Sequence, residues 1–268
     1  MRVVTQNILG RQAGWASRRS VLAAGFRRLE PDVVLFQEAI RLDDYDQVAD
    51  LLGDSYQVVH QAERDDDEAG QGISIASRWP IELVAEVDLR VGSRTADFPC
   101  GALLANVTWP SCPEPVLVVN HKPSWCTNLA YEREQQAVIT ARQVEEIVAR
   151  TGQHVVLGGD FDAVPESSSL RFWRGEQSLS DVSVSYCDAW QLRQGTDAGH
   201  TFAPSRCDLI TDAWSTYIDR RIDYLLVRCE DGKGPTLEVT RCDRIFDEPV
   251  DNIWGSDHFG VLADLRLP

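Results

Sequence analysis

Lysine is nearly missing from this sequence: Lys122 and Lys233 are the only two, and arginine supplies the other cations. Against 26 Lys and Arg stand 42 Asp and Glu, leaving a net charge of −16. Such a surface repels polyanions, which disfavours a protein built to coat duplex DNA through many phosphate contacts. No uninterrupted apolar stretch approaches the roughly 18 residues of a membrane helix, so no transmembrane segment is expected. The opening MRVVTQNILG runs straight into a strand-like pattern, without the apolar block and cleavage site of a secretory signal, and the expected location is cytoplasmic. Cys-x-x-Cys pairs are also absent. The cysteines at 100, 112, 126, 187, 207, 229 and 242 are scattered without zinc-like spacing, which points to free thiols in a reducing compartment. With no linker-like tract, low complexity or internal repeat, a single domain over residues 1–268 is expected.

What is present is a composition of 43% hydrophobic and 25% charged residues, enough to bury a sizeable core. Strands are predicted at 2–9, 33–36, 56–61, 72–79, 82–91, 101–109, 116–121, 154–161, 222–228, 237–240 and 259–267. Helices are predicted at 17–30, where Leu22, Phe26 and Leu29 share a face, at 43–52, around 167–173, and at 129–150, where Ala137, Ala141, Val144 and Val148 recur before Gly152. The acidic run 63–68 reads as a solvated hairpin tip. Many strands with few helices between them indicate an α+β sandwich and not alternating βαβ units.

Polar residues suited to metal and phosphate chemistry sit at the ends of these buried strands. Asn7 is late in the first strand, Glu38 follows the second, His121 ends VLVVNH, Asp160 and Asp162 end VVLGGDFD, Asp223 lies in RRIDYLLV, and Asp257-His258 opens the last strand. Singly, each has a structural alternative: a cap, a turn carboxylate, a salt bridge to Arg220 or Arg221, or a hydrogen-bonded core histidine. Together they argue for convergence on one site, because buried strands seldom end in ionisable groups that lack partners.

The ordered set TQNILG, LFQEA, VVNHK, LGGDFDAVP, RRIDYLLV and GSDHFGVLADL, from Thr5 to Leu265, resembles the endonuclease/exonuclease/phosphatase superfamily, the DNase I-like group. The resemblance implies a four-layer α/β/β/α sandwich of two mixed β-sheets flanked by helices, with a divalent-metal site at one edge. It implies Glu38 as the principal metal ligand, Asn7 beside the metal and Asp257 as a further direct or water-mediated ligand. Oxygen ligands of this kind suit Mg²⁺ or Mn²⁺. It further implies that Asp160 orients or deprotonates the attacking water, that His258 contacts the scissile phosphate with Asp223 as its partner, and that His121 lies on the phosphate or leaving oxygen.

One departure from the family pattern stands out. Where the motif usually reads GDFN, this chain has Gly159-Asp160-Phe161-Asp162, and an ionised Asp162 only accepts hydrogen bonds. It is open to three readings: a second cation site, a raised pKa, or a side chain turned from the substrate. The expected activity is divalent-metal-dependent hydrolysis of a phosphoester by water, as a phosphodiesterase or phosphatase, on a small phosphorylated or phosphodiester substrate in preference to nucleic acid. A DNA or RNA nuclease and a non-catalytic binding module on the same scaffold are the alternatives. Segments 11–15, 93–99, 124–129 and 175–200 would carry specificity, with Trp15, Trp125, Trp173 and His200 as further candidates.

Overall fold

A computed structural model describes residues 1–64, 70–211, 214 and 216–268, so most of the acidic run at 63–68 lies outside the described residues. In chain order the elements are β1 (Arg2–Asn7), α1 (Trp15–Leu29), β2 (Val33–Leu42), β3 (Tyr45–Asp46), α2 (Gln47–Leu52), β4 (Gln57–His60), β5 (Gln71–Ser77), β6 (Ile81–Asp88), β7 (Gly101–Val107) and β8 (Val116–Lys122). There follow α3 (Ala130–Thr151), β9 (Val155–Asp160), α4 (Ser168–Trp173), β10 (Tyr186–Asp188), α5 (Ala189–Gln194), β11 (Asp223–Glu230), β12 (Gly234–Pro235), β13 (Glu238–Ile245) and β14 (Gly260–Arg266). One sheet runs β13-β14-β1-β2-β5-β4 with β3 on β2, and the other β10-β11-β9-β8-β7-β6 with β12 on β11. Each is mixed, the parallel pairs being β1/β2 and β8/β9.

The sheets face each other, and their central strands are buried on both sides because both sides are covered. Alternation divides the residues of β2: Val33 and Leu35 enter the layer between the sheets with Leu103, Val118, Val156 and Leu225, while Val34 and Phe36 pack outward with Leu22 and Phe26 of α1. On the opposite outer face, Ala137, Ala141, Val144 and Val148 of α3 cover Leu104, Leu117 and Leu157. The predicted four layers are thus observed. Polar stitches cross the sandwich beneath one edge: the fully buried Gln37 amide donates to Asn120 Oδ1 (2.8 Å), and Asn120 Nδ2 donates to the carbonyls of Phe36 (2.8 Å) and Ser74 (3.0 Å).

Several bounds differ from the sequence-based expectation. β2 continues past Glu38 to Leu42 because a register shift between Phe36 and Ala39 absorbs that residue in a left-handed conformation (φ 57°). The helix expected at 43–52 starts only at Gln47, where the Asp46 side chain accepts from the Val48 and Ala49 N–H groups. β13 runs to Ile245, not 240, and β10 and α5 occupy part of the segment expected as a loop at 175–200. All seven cysteines are free thiols, and among the described residues no helix is long and apolar enough to cross a membrane.

Candidate active site

The strand ends converge on a cavity of about 810 Å³ at one edge of both sheets. β1 and β2 run parallel, so Asn7 and the bulged Glu38 arrive together, while antiparallel pairing of β9 with β11 sets Asp160 directly opposite Asp223. Glu38, Asp160, Asp162, Asp257 and His258 line the cavity, and Asp223 is buried behind His258. Asn7 bridges the two sheets, its Nδ2 donating to Glu38 Oε1 (2.8 Å) and Asp160 Oδ2 (3.0 Å), while its Oδ1 accepts from the Leu9 N–H (3.0 Å). Glu38 and Asp162 both hold positive φ, 57° and 50°, an uncommon conformation for non-glycine residues.

His121 is not brought to this cavity, contrary to the expectation that it meets the phosphate. Side chains alternate along β8, so Asn120 reaches toward the facing sheet while His121 points the other way, into the helix layer. There its Nδ1 meets Thr140 Oγ1 (3.1 Å) and its ring packs on Phe161 and Trp173. Burial lowers its pKa to about 3 and keeps it neutral. The residue that does enter from β8 is the next one. Lys122, buried, donates from Nζ to Asp160 Oδ2 and Asp162 Oδ2, both at 2.6 Å, and lies 3.9 Å from Glu38 Oε1. The available signal was that Lys122 is one of only two lysines and directly follows a strand-end histidine.

Lys122 also gives Asp162 a charged partner, so the carboxyl that stands in place of the usual asparagine is not left unpaired in the interior. Two carboxylates share this one cation, and their titrations separate. Burial pushes Asp160 up, but Lys122, then His258, outweigh it and hold the carboxyl at about 2. Burial and the neighbouring Asp160 raise Asp162 to about 7. His258 Nδ1 meets Asp223 Oδ2 at 3.0 Å, and its Nε2 lies 4.0 Å from Asp160 Oδ2. Burial opposes its charge, yet Asp223 and Asp160 raise its pKa well above the ordinary value. An imidazolium fixed in this way presents Nε2–H to the cavity.

Three further groups position these side chains. Thr201 Oγ1 accepts from the N–H groups of Ile222 and Asp223 (both 3.1 Å), and its carbonyl accepts from Phe259 N (2.7 Å). Buried Arg18 donates to the carbonyls of Ile8, Leu9, Gly10, Gln12 and Gly255, tying the β1–α1 loop to the segment that presents Asp257. Gly159 (φ 144°) lets β9 pass His121, where a Cβ would stand 2.1 Å from the His121 carbonyl oxygen. Of the tryptophans singled out, Trp125 lines the cavity, Trp173 is in the core, and Trp15 Nε1 donates to Tyr45 Oη (2.9 Å). His200 is absent from the lining, its Nδ1 lying 3.9 Å from Asp219 Oδ2.

The donor set fits a hard divalent cation. Burial raises Glu38, Lys122 and His258 oppose this, and the Asp257 carboxylate raises it further, so a cation beside Glu38 would relieve what disfavours its ionised form. Glu38 and Asp257 offer oxygen to such an ion, whereas Asn7 presents its nitrogen to the carboxylates. A second cluster, Asp160, Asp223 and His258, has one candidate ligand atom from each within 4.8 Å of the others. The His258–Asp223 hydrogen bond favours an acid-base role for that group.

Known proteins agree with this architecture. No curated protein is similar enough in sequence to match the chain. Among solved structures, D. rerio TDP2 complexed with a single strand DNA product is 20% identical, with 99% of this chain and 98% of that one covered and a TM-score of 0.77. The human Nocturnin catalytic domain with bound sulfate is 16% identical over 100% and 94% of the two chains (TM-score 0.73). An endonuclease/exonuclease/phosphatase from Bacteroides vulgatus is 20% identical over 100% and 98% (TM-score 0.72). At these identities the likeness is one of fold. The model of the Endonuclease/Exonuclease/phosphatase family matches residues 4–258, from the first strand to the histidine before the last one, and the chain therefore belongs to that family.

Proposed function

We propose that the chain hydrolyses a phosphoester with water as nucleophile, assisted by a divalent cation such as Mg²⁺ or Mn²⁺. The observation that carries this reading is the buried His258–Asp223 pair, whose free Nε2 lies 4.0 Å from the ionised Asp160 across a cavity that also exposes Glu38 and Asp257. A cation held by Glu38 and Asp257 would supply positive charge to the phosphoryl oxygens. His258, held protonated by Asp223, donates to a phosphoryl oxygen from the other side. Asp160, kept ionised at neutral pH, accepts from the attacking water and orients it; with a pKa of about 2 it is too weak a base to be the principal proton acceptor. Lys122 and Asn7 fix the carboxylate for that task.

The substrate is a small phosphorylated or phosphodiester compound. A cavity of about 810 Å³ receives one compact molecule, while the net charge of −16 disfavours long duplex. A second reading, action on nucleic acid, draws support from the D. rerio TDP2 structure, solved with a single strand DNA product. The test is a screen of purified protein with Mg²⁺ or Mn²⁺ against small phosphoesters, phospholipids, oligonucleotides and plasmid DNA across a salt series. Turnover of a small phosphoester that EDTA abolishes supports the proposal; turnover undiminished by excess EDTA removes the metal, and steeply salt-dependent plasmid nicking without small-substrate turnover replaces the substrate class.

A further inference from the structure

The cavity wall carries a cation that the hydrolytic reading does not use. Arg221 is committed to the fold through Asp188 (2.6 Å), but the preceding Arg220 lines the cavity. Its guanidinium carbon lies over three rings, 5.2 Å from the centroid of Phe202, 5.4 Å from Trp214 and 4.8 Å from Tyr217. Packing on aromatic faces fixes the plane of a guanidinium and removes part of its water while leaving its charge intact.

Three observations make this guanidinium a binding group and not a structural one. Among the described residues no carboxylate pairs with Arg220, and its Nε is buried without a hydrogen-bond partner. The other cations of the lining are engaged, Lys122 by Asp160 and Asp162, His258 by Asp223. The cage also sits at a defined place, since the Phe202 ring that supports Arg220 contacts the His258 ring at 5.2 Å; one aromatic ring separates the guanidinium from the reacting imidazole. Nearby, Arg133 adds positive potential and holds the Trp125 loop by donating to the carbonyls of Ser124 (3.0 Å) and Cys126 (2.6 Å). Trp125, 45% exposed, meets Trp214 edge to face at 6.4 Å, giving the mouth of the cavity an aromatic lip.

We propose that Arg220 forms a second phosphate subsite, so that the substrate carries a further phosphate beside the ester presented to His258, and a flat ring against Trp125 and Trp214. The chemical class is a nucleotide-like compound with two phosphate groups. The planar fork of a guanidinium suits bidentate binding of a phosphate. The proposal deepens the hydrolytic reading and rests on it for which phosphate is cleaved, but the subsite can be tested apart from cleavage.

The experiment is isothermal titration of the full chain with Mg²⁺, using a nucleoside 3′,5′-bisphosphate, the 5′-diphosphate and the 5′-monophosphate as probes, with product formation followed in parallel. Wild type is expected to bind at least one two-phosphate probe about tenfold or more tightly than the monophosphate, in Kd, or in KM where turnover occurs. Arg220→Gln should erase that preference and Arg220→Lys, which keeps a cation on the rings, should retain part of it; unchanged thermal midpoints confirm that both variants fold. Equal affinity for all probes in wild type, no binding of any probe, or a preference that survives Arg220→Gln overturns the subsite. An Arg220-dependent preference without cleavage of any phosphoester leaves the subsite standing and removes the hydrolytic reading, while cleavage without the preference does the reverse.

Discussion

His258 and Asp223 should act as one unit, and the structure says how strongly. They meet at 3.0 Å inside the protein, with the histidine side chain 8% and the aspartate 1% exposed, so solvent screens the pair little. A hydrogen bond to a charged group contributes about 1.5–3 kcal/mol, and Asp223→Asn should therefore lower kcat/KM at neutral pH by roughly 10- to 100-fold. His258→Ala removes the donor itself, and a loss of about 10²- to 10⁴-fold is expected. Once His258 is gone Asp223 has nothing to orient, so the double variant should be no worse than His258→Ala, a coupling equal to nearly the whole Asp223 effect. The pH dependence carries the same logic. The folded pKa of His258 is raised by Asp223 and Asp160, so the active imidazolium persists well above the ordinary histidine range and activity falls as pH rises through the raised value. Asp223→Asn should move that alkaline limb to lower pH. The assay is steady-state kcat/KM from pH 5 to 10 for all four proteins. Fully multiplicative losses, or an alkaline limb unmoved by Asp223→Asn, would refute the argument.

Glu38→Ala should abolish turnover and calorimetric Mg²⁺ or Mn²⁺ binding, while the metal-free thermal midpoint holds or rises because Asp257 loses a repelling neighbour. An unchanged metal isotherm would count against Glu38 as a ligand. Lys122→Met leaves Asp160 and Asp162 facing each other in the interior without their shared cation; unfolding in urea should show a loss of about 3–5 kcal/mol at pH 8, and a loss below 1 kcal/mol would contradict the role assigned to this lysine. Asp162, raised from 3.8 to about 7, binds more protons folded than unfolded between those values, so its contribution to stability is present below about pH 4 and is lost as pH rises to about 7. Asp162→Asn should thus gain stability relative to wild type across that interval; parallel urea midpoints from pH 4 to 8 would show the carboxyl to be ordinary.

Much of the site was legible because the chain breaks a packing rule in a regular way. Strands buried on both faces, such as those ending in Asn7 and Asp160, finish in groups that need partners, and the partners are one another. The limit was a single residue step on β8. Sequence marks its end as His121-Lys122, but which of the two turns toward the opposite sheet depends on register, and imidazole was the more obvious functional group. Arg18 stayed hidden for another reason. It acts through hydrogen bonds to backbone carbonyls of the β1–α1 loop and of Gly255, and backbone acceptors leave no pattern of side-chain types in the sequence. Asp162 was visible as an anomaly, but the ammonium that pairs with it at 2.6 Å was not.

The amide stitches between Gln37 and Asn120 have a mechanical consequence. Apolar layers resist separation but resist sliding poorly, since one methyl contact replaces another at little cost. Asn7 and Glu38 ride on one sheet, Lys122 and Asp160 on the other, so a slip of one residue spacing, about 3.3 Å, would pull the halves of the site apart. A buried amide pair tolerates no such slip without orphaning its donors. The stitch thus works as a dowel beneath the cavity, holding the two half-sites aligned up to the temperature at which the whole sandwich comes apart. Heat inactivation should then coincide with global unfolding, and the amide protons of β2 and β8 should exchange only through that same event.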